Sequence, residues 1–142
     1  MNLAGKQWQT AAIGLALVVG LAVAGSVIRH RNRSGCALDG MAIDPLLRVR
    51  VVDSSQQSHD FCCIRCAQLW LEHQAQEPLG IYVTDEKSGK EIEAGQAFFV
   101  RSRVATVAAT ENRVHAFADR ADAERHAQLH GGSLLTAAER PF

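Results

Sequence analysis

An α+β fold of two tandem ββαβ-type modules, set behind one N-terminal hydrophobic segment, is what the sequence predicts, on three observations. An uncharged apolar run covers Ala11 to Ile28. Beyond it the chain twice passes from strand-like segments into a helix-like one, which a glycine break then closes at Gly80 and at Gly131-Gly132. A phenylalanine stands just ahead of each helix, Phe61 and Phe117, and marks the two halves as copies of one plan.

Taken in order, residues 1–10 are a short flank carrying Lys6, and residues 11–28 are a transmembrane or signal segment. About 18 apolar residues suffice to span a bilayer as a helix, and Gly14, Gly20 and Gly25 with no polar face suit a globular surface poorly. Small residues at Ala22, Ala24 and Gly25 equally fit a secretory signal peptide. The linker, 29–35, holds Arg29, Arg31 and Arg33, a flank that the positive-inside rule keeps cytoplasmic. The domain occupies 36–142, with module one at about 36–85 and module two at about 95–137.

Within module one, Leu46 to Val52 has strand composition, Asp53 to Ser58 reads as a turn, and His59 to Cys62 resumes an extended run. Ile64, Ala67, Leu69, Trp70, Leu71 and Ala75 recur at near-helical spacing, which predicts a helix from Cys63 to about Gln76. Pro78-Leu79-Gly80 ends it, and Ile81 to Thr84 is a strand. Module two repeats the plan with strands at Gln96 to Val104 and Arg113 to Phe117, a helix at Asp119 to His130, and a last strand at Ser133 to Thr136.

Lys plus Arg equals Asp plus Glu at 15 each, so the summed field offers phosphate backbones no basic surface and excludes nucleic acid as an expected ligand. The cysteines are Cys36, Cys62, Cys63 and Cys66, three of them within five positions. A disulfide framework spaces its cysteines along the loops it staples, so this clustering points to metal or redox chemistry. Only the first module carries them where its helix begins, which localises the chemistry.

At that strand-to-helix junction Cys62 and Cys66 (i, i+4), or Cys63 and Cys66 (i, i+3), project from one helical face and can share an ion. The dipole end of the helix, with Arg65 beside it, is expected to stabilise the thiolate. Soft sulfur ligands select copper(I) or zinc, and a thioether such as Met41 tips the choice toward copper(I). Gly40 permits a sharp turn that brings Cys36 and Met41 back toward the helix start. The metal ligands expected are therefore Cys36, Met41, Cys62, Cys63 and Cys66. The six histidines look scattered, and His115, His126 and His130 read as solvated positions, as do the carboxylates Asp85, Glu86, Glu91 and Glu93. No Ser-His-Asp pattern, phosphate-cradling glycine loop or paired metal-binding histidines is visible, so catalysis is not expected.

The segment from Cys36 to about Glu139 resembles the NosL family of copper-binding accessory proteins, which are associated with assembly of nitrous oxide reductase. The family's C-x-x-C-G-M opening is matched here by C-A-L-D-G-M, with Cys36, Gly40 and Met41 in place and Asp39 where the second Cys stands. The C-x-x-x-C-A element of some relatives is matched by Cys62, Cys66 and Ala67, and Cys63 is an added thiol inside it. Val83-Thr84-Asp85 with Ser88 to Ala94, and Ala116-Phe117 through His130-Gly131-Gly132, look like the family's intermodule segment and last helix and strand. A methionine that many relatives carry shortly before the Ala-Phe pair is absent from Val104 to Val114.

The resemblance implies a copper(I) metallochaperone, exported and membrane-attached, that passes metal to a periplasmic metalloenzyme such as nitrous oxide reductase, or exchanges it with a membrane transporter. It further implies a bacterial inner-membrane, single-pass protein whose domain faces the periplasm. Two other readings stand beside it. Cys63-Ile64-Arg65-Cys66 at a helix start is the pattern of a thiol-disulfide oxidoreductase. A structural zinc site in an interaction protein would take Cys36, His59 or His73 as its fourth ligand.

Overall fold

The computed structural model describes residues 35–142; the expected flank 1–10, hydrophobic segment 11–28 and all of the linker but Gly35 lie outside the described residues. Among the described residues no helix is long and apolar enough to cross a membrane.

Strand β1 (Val49–Val52) alternates, burying Val49 and Val51 and turning Arg50 and Val52 outward. A turn held by the Asp53 carboxylate, which accepts the Ser55 and Gln57 amides at 2.9 Å, reverses the chain. Strand β2 (Ser58–Phe61) then pairs antiparallel with β1, Val49 opposite Phe61. Helix α1 (Ile64–Leu71) lays Ile64, Cys66 and Ala67 on the inner face of these strands. Strand β3 (Gly80–Thr84) returns to the other side of β1, and β4 (Glu91–Glu93) pairs with β3, giving a sheet of order β2-β1-β3-β4.

Module two follows the same plan. Strand β5 (Phe98–Arg101) is central, with β6 (Val114–Phe117) and β7 (Ser133–Leu134) on either side, all antiparallel. Phe98 stands opposite Phe117 as Val49 stands opposite Phe61, and each helix starts three residues after that phenylalanine. Helix α2 (Arg120–His130) is capped by Asp119, whose carboxylate accepts the Ala121 amide at 2.7 Å. It ends at Gly131 in the left-handed region (φ 61°), and Gly132 N–H closes on the Ala127 carbonyl at 2.8 Å.

Several elements differ from expectation. Helix α1 stops at Leu71 instead of Gln76, because Glu72 to Gln76 are all exposed and the His73 and Gln74 amides close short turns onto Trp70 and Leu71. Strand β4 was not expected, since three residues are too short to show alternation. The strand expected from Gln96 begins only at Phe98, after a 3-10 turn over Ala94–Gln96, and ends at Arg101. Nor do the modules keep separate cores: Ala97, Phe99 and Ala116 of module two pack with Val49, Val51, Phe61 and Val83 of module one. A second, smaller cluster joins Val100, Phe117, Ala123 and Ala127 under α2.

Of the carboxylates read as a solvated face, Glu91 and Glu93 are exposed, whereas Asp85 and Glu86 bind the modules instead. Asp85 is 5 % exposed and accepts the Ala118 amide at 3.2 Å, while Glu86 accepts the Ala116 amide at 3.3 Å and returns its own N–H to the Ala116 carbonyl at 3.0 Å. Glu91 is bidentate to Arg50 across the outer face of the first sheet.

Candidate metal centre

The loop ahead of β1 carries the first thiol. Cys36 N–H donates to the Met41 carbonyl and Gly40 N–H to the Cys36 carbonyl, both at 2.8 Å, closing a tight turn in which Gly40 has φ 73°. Gly35 is also required there, because a Cβ on it would lie 2.7 Å from the Gly40 carbonyl oxygen. Ala37 N–H reaches the Asp60 carbonyl at 2.8 Å, which pins the turn to β2 beside the start of α1. From the other side, one helical turn brings Cys66 back under Cys62.

The result is a group of four. The sulfurs of Cys36, Cys62 and Cys66 and a carboxylate oxygen of Asp39 all lie within 4.8 Å of one another. Cys62 Sγ and Cys66 Sγ are 3.5 Å apart, and Cys66 Sγ donates to Asp39 Oδ2 at 3.4 Å. The three thiols are 3 %, 1 % and 0 % exposed, whereas Asp39 is exposed, so the carboxylate stands at the mouth of a buried sulfur pocket. Among the described residues no other three His, Cys, Asp or Glu side chains converge in this way.

Burial sets the protonation. It pushes the Cys62 thiol up to about 12 and the Cys66 thiol higher still, with the neighbouring sulfurs adding to the shift at Cys66. The expectation that the helix terminus and Arg65 would favour the thiolate is thus overturned: Arg65 is exposed, and desolvation dominates. Asp39 goes the other way. Burial pushes its carboxyl up, but the Met41 amide and the Cys36 and Cys66 thiols together hold it below the ordinary carboxylate value. Burial thus keeps the Cys62 and Cys66 thiols protonated beside the Asp39 carboxylate, and a cation bound by them would displace those protons.

Of the expected ligands, Cys36, Cys62 and Cys66 are brought together. Cys63 is the N-cap residue of α1, and its sulfur lies 3.3 Å from Thr110 Oγ1, outside the group. Met41 follows in the same turn, 40 % exposed, its N–H donating to Asp39 Oδ1 at 3.0 Å. His59 and His73 are engaged elsewhere, with Asp53 at 2.8 Å and the Leu69 carbonyl at 2.7 Å. Asp39 is the member that sequence reasoning treated as a loss. Its signal was its position: a carboxylate can still ligate where a cysteine is missing.

Three of the histidines read as scattered converge, although His130 among them is exposed as expected. His115 is 2 % exposed, and its ring lies 4.2 Å from that of His126, which lies 4.4 Å from that of His130. The four-residue spacing of His126 and His130 on a helix was the available clue.

The comparisons bear on this architecture. No curated protein matches the sequence significantly. The fold matches the crystal structure of the copper chaperone NosL from Shewanella denitrificans with a TM-score of 0.65, at 22 % identity, over 76 % of this chain and 90 % of that one. The NosL family profile matches residues 27–141, so the chain belongs to the NosL family.

Proposed function

We propose that this protein is a copper(I) carrier without catalytic activity, holding the ion on the thiolates of Cys36, Cys62 and Cys66 with Asp39 at the entrance. The observation that carries the reading is the buried convergence of three sulfurs within 4.8 Å. Thiolate sulfur selects soft ions such as copper(I) over hard ones, and the Shewanella denitrificans relative of the same fold is named a copper chaperone. Met41, on the exposed side of the loop, supplies the soft atom to which copper moves when it enters or leaves.

The carrier is anchored by residues 11–28 to the bacterial inner membrane with its domain in the periplasm. It delivers copper to a metalloenzyme there, such as nitrous oxide reductase, or exchanges it with a membrane transporter. Tethering raises the local concentration, so ligand exchange proceeds without a free ion. The thiol-disulfide reading fares less well, because a redox nucleophile needs an accessible, low-pKa sulfur, and Cys66 is fully buried with its thiol pushed up.

Anaerobic titration of the reduced protein against a chromogenic copper(I) chelator tests the proposal: withdrawal of one equivalent supports it, and copper left entirely with the chelator refutes it. One observation favours zinc as a second reading, namely the carboxylate oxygen beside the three sulfurs, which gives the four donors that a zinc site takes. Cobalt(II) giving a tetrahedral d-d band that copper(I) fails to displace would decide for zinc.

A further inference from the structure

We propose that His126 and His130 form a second metal site, on module two, for a borderline divalent ion such as nickel(II), zinc(II) or copper(II). Two imidazoles four residues apart on a helix face stand one above the other, and here their ring centroids are 4.4 Å apart. Imidazole nitrogen suits ions of intermediate softness, whereas the cysteine pocket suits soft ones, so the two sites differ in cargo as well as in place. The neutral ring is the ligating form.

The surroundings keep the pair in register. His115 stacks on the inner side of His126 and is itself fixed by Glu86 at Nδ1 (2.8 Å), while its Nε2 lies 3.1 Å from Ser102 Oγ and 3.2 Å from the Val104 carbonyl. With both nitrogens engaged it is a support and not a ligand. His126 Nε2 lies 3.4 Å from Ser102 Oγ, and Phe117 packs on the same ring. Asp122, one turn before His126 on the same helix, pairs with Arg125, so its charge is partly met already. The Arg103 guanidinium lies near Gly131 at the end of the helix, and Arg113 donates to the Arg103 carbonyl at 2.9 Å, so both cations near this corner oppose binding. His130 is exposed, which leaves the pair open to an ion from solvent.

Nickel(II) is the probe, since it neither oxidises thiols nor is reduced by them under these conditions. Full-length protein in detergent is titrated by calorimetry and by observing the histidine ring protons, which the paramagnetic ion broadens. One equivalent should bind, with the His126 and His130 signals broadened first. His130→Ala, a change at an exposed side chain, and His126→Gln should each weaken binding by about tenfold or more, the scale on which even supporting partners of metal-bound histidines act. Far-UV circular dichroism confirms that both variants are folded. No uptake of nickel(II), undiminished binding by His130→Ala, or first broadening at residues around Cys62 and Cys66 would each overturn the proposal.

Discussion

Asp39 and Cys66 are separated by 27 residues in the chain and by 3.4 Å between Oδ2 and Sγ. The carboxylate joins the sulfurs of Cys36, Cys62 and Cys66, so this pocket combines three soft donors with one hard one. Replacing Asp39 with Cys completes an all-sulfur set. Asp39→Cys should tighten copper(I) binding by about tenfold or more, equivalent to ~1.4 kcal/mol, while weakening the preference for oxygen-tolerant zinc. Parallel competition titrations with copper(I) and zinc check this; equal copper(I) affinities for parent and variant would remove Asp39 from the ligand set.

Cys63 occupies in α1 the capping position that Asp119 holds in α2, yet it makes no side-chain cap and sits against Thr110. A sulfur so engaged is a packing group. Cys63→Ser should leave copper(I) stoichiometry and affinity unchanged, and cost stability by about 1 kcal/mol or less, since the hydroxyl keeps a partner in Thr110. A lost equivalent of copper would instead place Cys63 among the ligands.

Alkaline pH should destabilise the metal-free, reduced protein. The unfolded chain releases a cysteine proton near 9.0, whereas the folded state holds that of Cys62 to about 12. The folded state therefore binds more protons across this interval. Stability present in full below pH 9 is lost as pH rises toward 12, by about 1.4 kcal/mol per pH unit for each such thiol. Urea midpoints between pH 8 and pH 11 measure it, and the slope should shrink in Cys62→Ser.

The histidine stack predicts the opposite limb. His126 titrates at about 4 when folded against 6.5 for the free side chain, so the unfolded chain binds the extra proton between those values. Stability falls as pH drops from 6.5 toward 4. His126→Gln should flatten the fall in urea midpoint between pH 7 and pH 5; an unchanged slope would assign the acid loss to other groups.

The general plan of the fold was legible because it rests on local pattern. The alternation of Val49 and Val51, the turn residues Asp53 to Ser58, the cap at Asp119 and the break at Gly131 all act within a few residues of themselves. What escaped was long-range. Strand β4 exists because Ile92 finds Val83, and Glu86 is a structural ligand of β6 because the chain brings Ala116 beside it. The same division runs through the site. Cys62 and Cys66 could be paired from helical spacing, but the inclusion of Asp39 and the diversion of Cys63 to Thr110 depend on two loops meeting the helix start. The sign of the thiol shift also needed the fold, since burial outweighs the helix terminus and sequence shows only the latter.

X-ray absorption at the copper edge, on anaerobically loaded protein, tests the buried sulfur pocket most directly. The account predicts a first shell dominated by sulfur in the parent, and loss of that bound copper in folded Cys62→Ser/Cys66→Ser protein. A shell of nitrogen and oxygen alone, or a double variant that retains copper with parental affinity, would contradict it.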